Sequence, residues 1–229
     1  MATYKNYSIS SSKGKLYLKE KAPKEGYEEI LYGVNKDKKT YHKYEDSVQG
    51  KPKSFEVREA PFEGRTLRFL EFVLQDGDTE NQISLPLKNK NGYTDEVKAI
   101  VSSLNDIDVS EIVTLTPKIS KYKNKAGVEK EQINIYINYV NKLGENGKGL
   151  PTGYIPFAEI PKAEKEVDED DGDITWNWKP VNKFYARKIK EIGDKFESKP
   201  KETAEKVKEP VVTKRDPDIE EEDPDDLPF

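Results

Sequence analysis

The sequence predicts a mainly β protein with extra strands at its N-terminus, a C-terminal helix and an acidic tail. Three observations carry this. Residues 1–140 hold one short alternating or β-branched run after another, each closed by turn chemistry. A single amphipathic helical stretch interrupts them. Charged residues make up 36% of the 229 and hydrophobic residues only 34%, too polar a balance for one uniformly packed globule. The composition therefore calls for a compact core with polar appendages.

The elements follow in order. Lys15-Leu16-Tyr17-Leu18 alternates, and residues 29–34 and 40–44 read as a hairpin around the turn-like 35–39. Residues 54–58 alternate at period two, and 65–75 are rich in Leu, Phe and Val. Asp76-Gly77-Asp78 then supplies a turn, and 82–87 pairs back until Pro86 removes a ladder donor. Thr94 caps a helix whose first turn carries Asp95 and Glu96 and whose apolar stripe is Val97, Ile100, Val101 and Leu104. Two strands follow, 111–118 and 132–140, joined by a basic loop over 119–127. In the second, the isoleucines take one face, and Asn134, Tyr136 and Asn138 take the other. Strands, a helix and two strands between Tyr27 and Asn141 follow the element order of an OB-fold (three strands, a helix, two strands), with the extra N-terminal strands as elaborations or a small separate hairpin, so the expected body is an OB-fold-like barrel.

Beyond Leu143 the composition changes. Gly144, Gly147, Gly149 and Gly153 mark a loop, and residues 164–173 are acidic. Trp176 and Trp178 are expected to dock this stretch onto the barrel, with base stacking the less favoured role. Residues 183–208 have helical spacing, weakened at Gly193 and broken at Pro200. From Pro210 onward no periodicity survives, and disorder is expected. The domain reading is thus 1–160 for the barrel with its N-terminal elaboration, 161–209 for an acidic linker and helical segment, and 210–229 for a disordered acidic tail.

Several function classes are excluded or disfavoured. The chain has no cysteine, hence no disulfide, thiolate metal site or Cys nucleophile. His42 is its one histidine, so a site with two imidazoles is excluded, and it reads as a strand surface residue. Glycine-rich phosphate loops are absent, and the acids Asp168, Glu169, Asp170, Asp171 and Asp173 lack the Gly and terminal Glu of an EF-hand. No catalytic residue, cofactor or metal is expected. Without an apolar run of about 18 residues or a signal-peptide core, a cytoplasmic protein with no membrane segment is expected.

The net charge of −5 hides an asymmetry: the last 14 residues hold eight acids and no base, and the remainder carries +3. A mildly acidic total therefore leaves nucleic-acid binding open for the body. Nonspecific binding of a single strand needs cations along the phosphates and rings under the bases. Candidates for such a face are Tyr32, Lys39, Tyr41, Lys43 and Tyr44; Phe55, Arg58, Arg65 and Arg68; and Lys118, Lys121, Tyr122, Lys123, Lys125 and Tyr136. Any one of them serves equally well as ordinary surface.

The sharpest signal is the end of the chain. An acidic run closes in Asp225, Asp226, Leu227, Pro228 and Phe229. A small apolar pocket rimmed by Lys and Arg would take the ring and clamp the terminal carboxylate, and Pro228 lowers the ordering cost. This ending resembles the C-terminal tip of bacterial single-stranded-DNA-binding proteins. The body looks more like a divergent bacteriophage-type member than the housekeeping bacterial protein. The resemblance implies an OB-fold body that coats single-stranded DNA during replication, recombination and repair, and a tip that recruits proteins of those pathways. The alternative is an adaptor that carries the tip to host replication enzymes without binding DNA. Homodimerisation, through an exposed strand edge or an exchanged helix, stays open, as does DNA against RNA.

Overall fold

The computed structural model describes residues 3–32, 36, 38–62, 64–89, 92–123, 127–167 and 174–197. The described residues of Met1–Lys199 form one compact unit, and the expected disordered tail and its tip lie outside the described residues. So do Lys125 and the acids 168–173.

The protein is mainly β. A ten-stranded sheet runs, edge to edge, β12 (Gly149–Pro151), β11 (Glu129–Leu143), β10 (Val113–Lys123), β5 (Val48–Phe62), β6 (Arg65–Asp76), β7 (Thr79–Pro86), β1 (Thr3–Ser10), β2 (Lys15–Glu20), β4 (Lys38–Glu45) and β3 (Glu28–Tyr32). Two small hairpins flank it, β8 (Lys88–Asn89) with β9 (Gly92–Tyr93), and β13 (Glu164–Val167) with β14 (Ile174–Asn177). Helix α1 spans Asp95–Ser103 and α2 spans Lys179–Glu197.

The expected succession of strands, helix and strands is present, and the first residues of β5, Val48 to Gly50, pair antiparallel with β10. The sheet nevertheless stays open, where a closed barrel was expected. Closure would need the free edge of β7, and β1 takes that edge in parallel register, Thr3 to Tyr7 against Thr79 to Ile83. Residues 3–7 gave no strand signal in the sequence because Thr3 and Lys5, which share a face with buried Tyr7, are not apolar. What decides the pairing is Tyr7, 1% exposed, whose hydroxyl donates to the Glu45 carboxylate at 2.7 Å.

The core lies between the inward faces of the strands and the two helices. Leu16, Leu70, Phe72, Leu74, Ile83 and Leu115 meet Val97, Ile100, Val101 and Leu104 of α1. The α1 cap is as expected, with Thr94 Oγ1 accepting from the Val97 amide at 3.4 Å. Helix α2 starts four residues earlier than its sequence pattern suggested. It adds Val181, Phe184, Tyr185, Ile189 and Ile192 to the same core, a stripe at helical spacing. Near its end Phe196 stacks on Phe55, centroids 6.1 Å apart, and meets Phe72 edge-on at 6.2 Å.

Two further expectations change. The basic stretch after Lys118 is not a loose loop. β10 and β11 stay paired out to Lys123 and Glu129, so they form a long two-stranded arm. The tryptophans do not dock the linker either: Trp176 is 55% exposed and Trp178 39%, and the α2 stripe makes that attachment instead. Among the described residues no helix is long and apolar enough to cross a membrane.

Candidate nucleic-acid interface

Pairing register decides which side chains share a face, because neighbours along a strand point oppositely. On β2 and β4, Tyr17 stands opposite Tyr44, and Lys19 opposite His42. All four leave the side away from buried Leu16. The imidazole of His42 also contacts Tyr44, centroids 6.0 Å apart, and Tyr17 and Tyr44 lie 6.1 Å apart. The Lys13 ammonium sits 3.7 Å above the centre of the Tyr44 ring. At the sheet edge, the Lys19 ammonium lies 5.5 Å from the centre of Tyr32. Cations over ring faces are attracted by the ring quadrupole, which holds the cluster together before any ligand arrives.

The other half of the face lies on β10 and β11. Thr116 is opposite Tyr136 and Lys118 opposite Asn134, pointing away from Leu115, Ile135 and Ile137. Lys118 approaches the Tyr136 ring to 6.0 Å, and Tyr122, two alternations further along β10, continues the same side. The halves meet where the β1–β2 turn crosses β10. A Cβ on Gly14 would stand 2.8 Å from the Ile119 nitrogen, so this close approach requires glycine. Lys13, Gly14, Thr116 and Lys118 line one open cleft there. The result is a stripe of alternating rings and ammonium groups: Tyr122 and Tyr136, Lys118, Lys13, Tyr44, Tyr17 with His42, Lys19, Tyr32.

Of the residues expected from sequence, Tyr32, Tyr44, Lys118, Tyr122 and Tyr136 belong to this stripe. Lys39, Tyr41 and Lys43 do not, because they leave the opposite face of β4. There Glu29 pairs with Lys39 at 3.2 Å and accepts from Tyr41 at 3.2 Å, and Glu45 stands 3.5 Å from Lys43. Phe55 is corrected outright: it is 4% exposed and packed between Phe72 and Phe196, so its ring offers no face to a base. Arg58 and Arg68 are ion-paired on the β5–β6 arm, to Glu71 at 3.5 Å and Glu59 at 2.8 Å, and Arg65 lies exposed near its tip. The carboxyl of Glu71 is pushed above its usual range by burial, against the pull of Arg58, and Glu56 raises it further. An acid-rich neighbourhood is a poor seat for phosphates. Lys121 pairs with Glu129 at 3.1 Å, and Lys123 is exposed at the arm's end.

Sequence reading missed Lys13, Tyr17, Lys19 and His42. Tyr17 and Lys19 flank an apolar strand position and look like ordinary alternation. Only the β2–β4 register puts them beside His42 and Tyr44. No family model matches the chain, and neither a curated protein nor a solved structure matches it.

Proposed function

We propose that the chain binds single-stranded DNA without sequence preference and recruits replication, recombination and repair proteins through its tip, residues 225–229. The stripe of rings and ammonium groups across β10, β11, β2, β4 and β3 is the observation that carries this. Rings stack bases of any identity, worth about 1–3 kcal/mol per base, and the lysines between them neutralise phosphates. Lys13 is held by Glu28 in an exposed ion pair. Such pairs contribute about 0–1 kcal/mol, so a phosphate displaces the carboxylate at little cost.

Two further features support the reading. The order β5, β6, β7, α1, β10, β11 with a β10–β5 ladder is that of an OB-fold opened at the β7 edge. The ending Asp225-Asp226-Leu227-Pro228-Phe229 resembles the recruiting tip of bacterial single-stranded-DNA-binding proteins. A titration of labelled oligo-dT, repeated with duplex and at two salt concentrations, tests the proposal. Tight, salt-sensitive, strand-selective binding is expected. No binding to oligo-dT sinks it and leaves the adaptor reading, which rests on the tip alone.

A further inference from the structure

The turn between β1 and β2 reads Ser10-Ser11-Ser12-Lys13-Gly14-Lys15. It is internally braced. The Lys13 amide donates to Ser10 Oγ at 3.3 Å, the Gly14 amide donates to the Ser10 carbonyl at 2.8 Å, and the Ser10 and Ser12 hydroxyls lie 3.2 Å apart. Gly14 has φ +62° and no room for a Cβ against β10, so the turn is pinned where it crosses that strand. The cleft so formed is lined by Lys13 and Lys118, by Thr116 and by Asp46, whose carboxylate is 3.0 Å from Lys15. Among the described residues none that lines it is aromatic. The rings stand outside it, Tyr44 under Lys13 on one side and Tyr136 beside Lys118 on the other.

A cleft lined by two lysines and a threonine hydroxyl, with its Asp46 carboxylate held by Lys15 and with rings beside it, suits a phosphodiester and not a base. We propose that this cleft is a phosphate clamp. The braced turn and β10 hold a backbone phosphate of the bound strand between Lys13 and Lys118, while the neighbouring bases stack on Tyr44 and Tyr136. The inference rests on the single-strand reading above. It gives the N-terminal strands a role in binding: by occupying the edge of β7 they bring one jaw of the clamp to β10. Lys13 is held meanwhile by Glu28 at 2.8 Å, an exposed pair that a phosphate replaces.

The test is the salt dependence of oligo-dT binding by the full chain. For single strands, log Kobs falls with log salt at about 0.7 per phosphate neutralised. Because the two lysines share one phosphate, the double variant Lys13→Gln/Lys118→Gln should reduce that slope by about 0.7, and neither single variant should reduce it by more. Tyr44→Ala should lower affinity and leave the slope in place. On an oligomer with uncharged methylphosphonate linkages, wild type and both lysine variants should bind alike. Both lysines are exposed, so the variants fold. Unchanged slopes in variants that still bind oligo-dT overturn the clamp and leave the strand reading standing. Failure of the wild type to bind oligo-dT removes both.

Discussion

The imidazole of His42 lies flat on the ring of Tyr17, with centroids 4.3 Å apart and planes 17° from parallel. Its Nδ1 is 3.4 Å from the Tyr44 hydroxyl, and its Nε2 is buried without a hydrogen bond among the described residues. Burial of the ring pushes its pKa below the usual value; Lys19 and Lys13 push the same way, and Glu28 opposes them. The depressed pKa means that the unfolded chain binds the proton more readily. The contribution of His42 to stability is therefore complete above about pH 6.5 and is lost as pH falls through the folded value. A bound phosphate acts oppositely, favouring the imidazolium. Affinity for oligo-dT should rise as pH falls from about 7.5 to about 5.5. His42→Gln should flatten that rise, as read by binding titrations at each pH. An equal rise in the variant would remove His42 from the interface.

Tyr41 and Tyr44 sit on one strand and point to opposite faces. Tyr44→Ala should weaken oligo-dT binding by about 1–3 kcal/mol, the usual worth of one stacked base. Tyr41→Ala should change it by much less, since that phenol is turned toward Glu29. Equal losses from the two would show that the strand does not follow the stripe.

Phe55 belongs to the aromatic contact that fastens α2 to the sheet. Phe55→Ala should cost about 3–5 kcal/mol of stability, measured by denaturant unfolding, because a large buried ring leaves a cavity. Under conditions where the variant remains folded, its affinity for oligo-dT should equal that of the wild type. A specific loss of binding at full stability would return Phe55 to the interface.

These contrasts show what was readable in the sequence. Helix α1, its Thr94 cap and the alternation of Ile133, Ile135 and Ile137 depend on neighbours within a few residues, and the sequence displays them directly. Strand β1 does not, because its place depends on Tyr7 reaching Glu45 across 38 positions. The site is legible by residue type and not by face. Tyr41, Lys43 and Tyr44 look equivalent in sequence, and alternation alone could not say which of them shares a side with Tyr17. Phe55 misled for a related reason: its partner Phe196 lies in a helix far along the chain.

Gly193 lies inside α2 without a positive φ, so its backbone does not call for glycine. A Cβ there would meet the Phe55 carbonyl oxygen at 3.5 Å, an ordinary contact. Gly193→Ala should stabilise the protein by about 0.5–1 kcal/mol, through reduced freedom of the unfolded helix segment. A fall in the unfolding midpoint would mean that α2 sits closer to β5 than this spacing.

Trp176 and Trp178 are the chain's two tryptophans, so their emission reports on one place alone. That place is an open cleft between the β13–β14 hairpin and the start of α2, where Gly92, Glu166, Asn177, Lys179 and Asn182 surround the rings. Lys98 stands 5.8 Å from the Trp178 ring and already supplies it with a cation. The stripe uses tyrosines on β2, β3, β4, β10 and β11 and neither indole. Saturating oligo-dT should therefore leave tryptophan emission nearly unchanged when the indoles alone are excited. A base stacked on Trp176, the more exposed ring, would quench it, and Trp176→Ala would then lower affinity by about 1–3 kcal/mol. The acids Glu164 and Glu166 beside the cleft repel phosphates, which is the physical reason to expect the strand to stay on the lysine-bearing face. A strong quench together with a loss of affinity in Trp176→Ala would reroute the strand across α2, and the stripe would then be only part of its path.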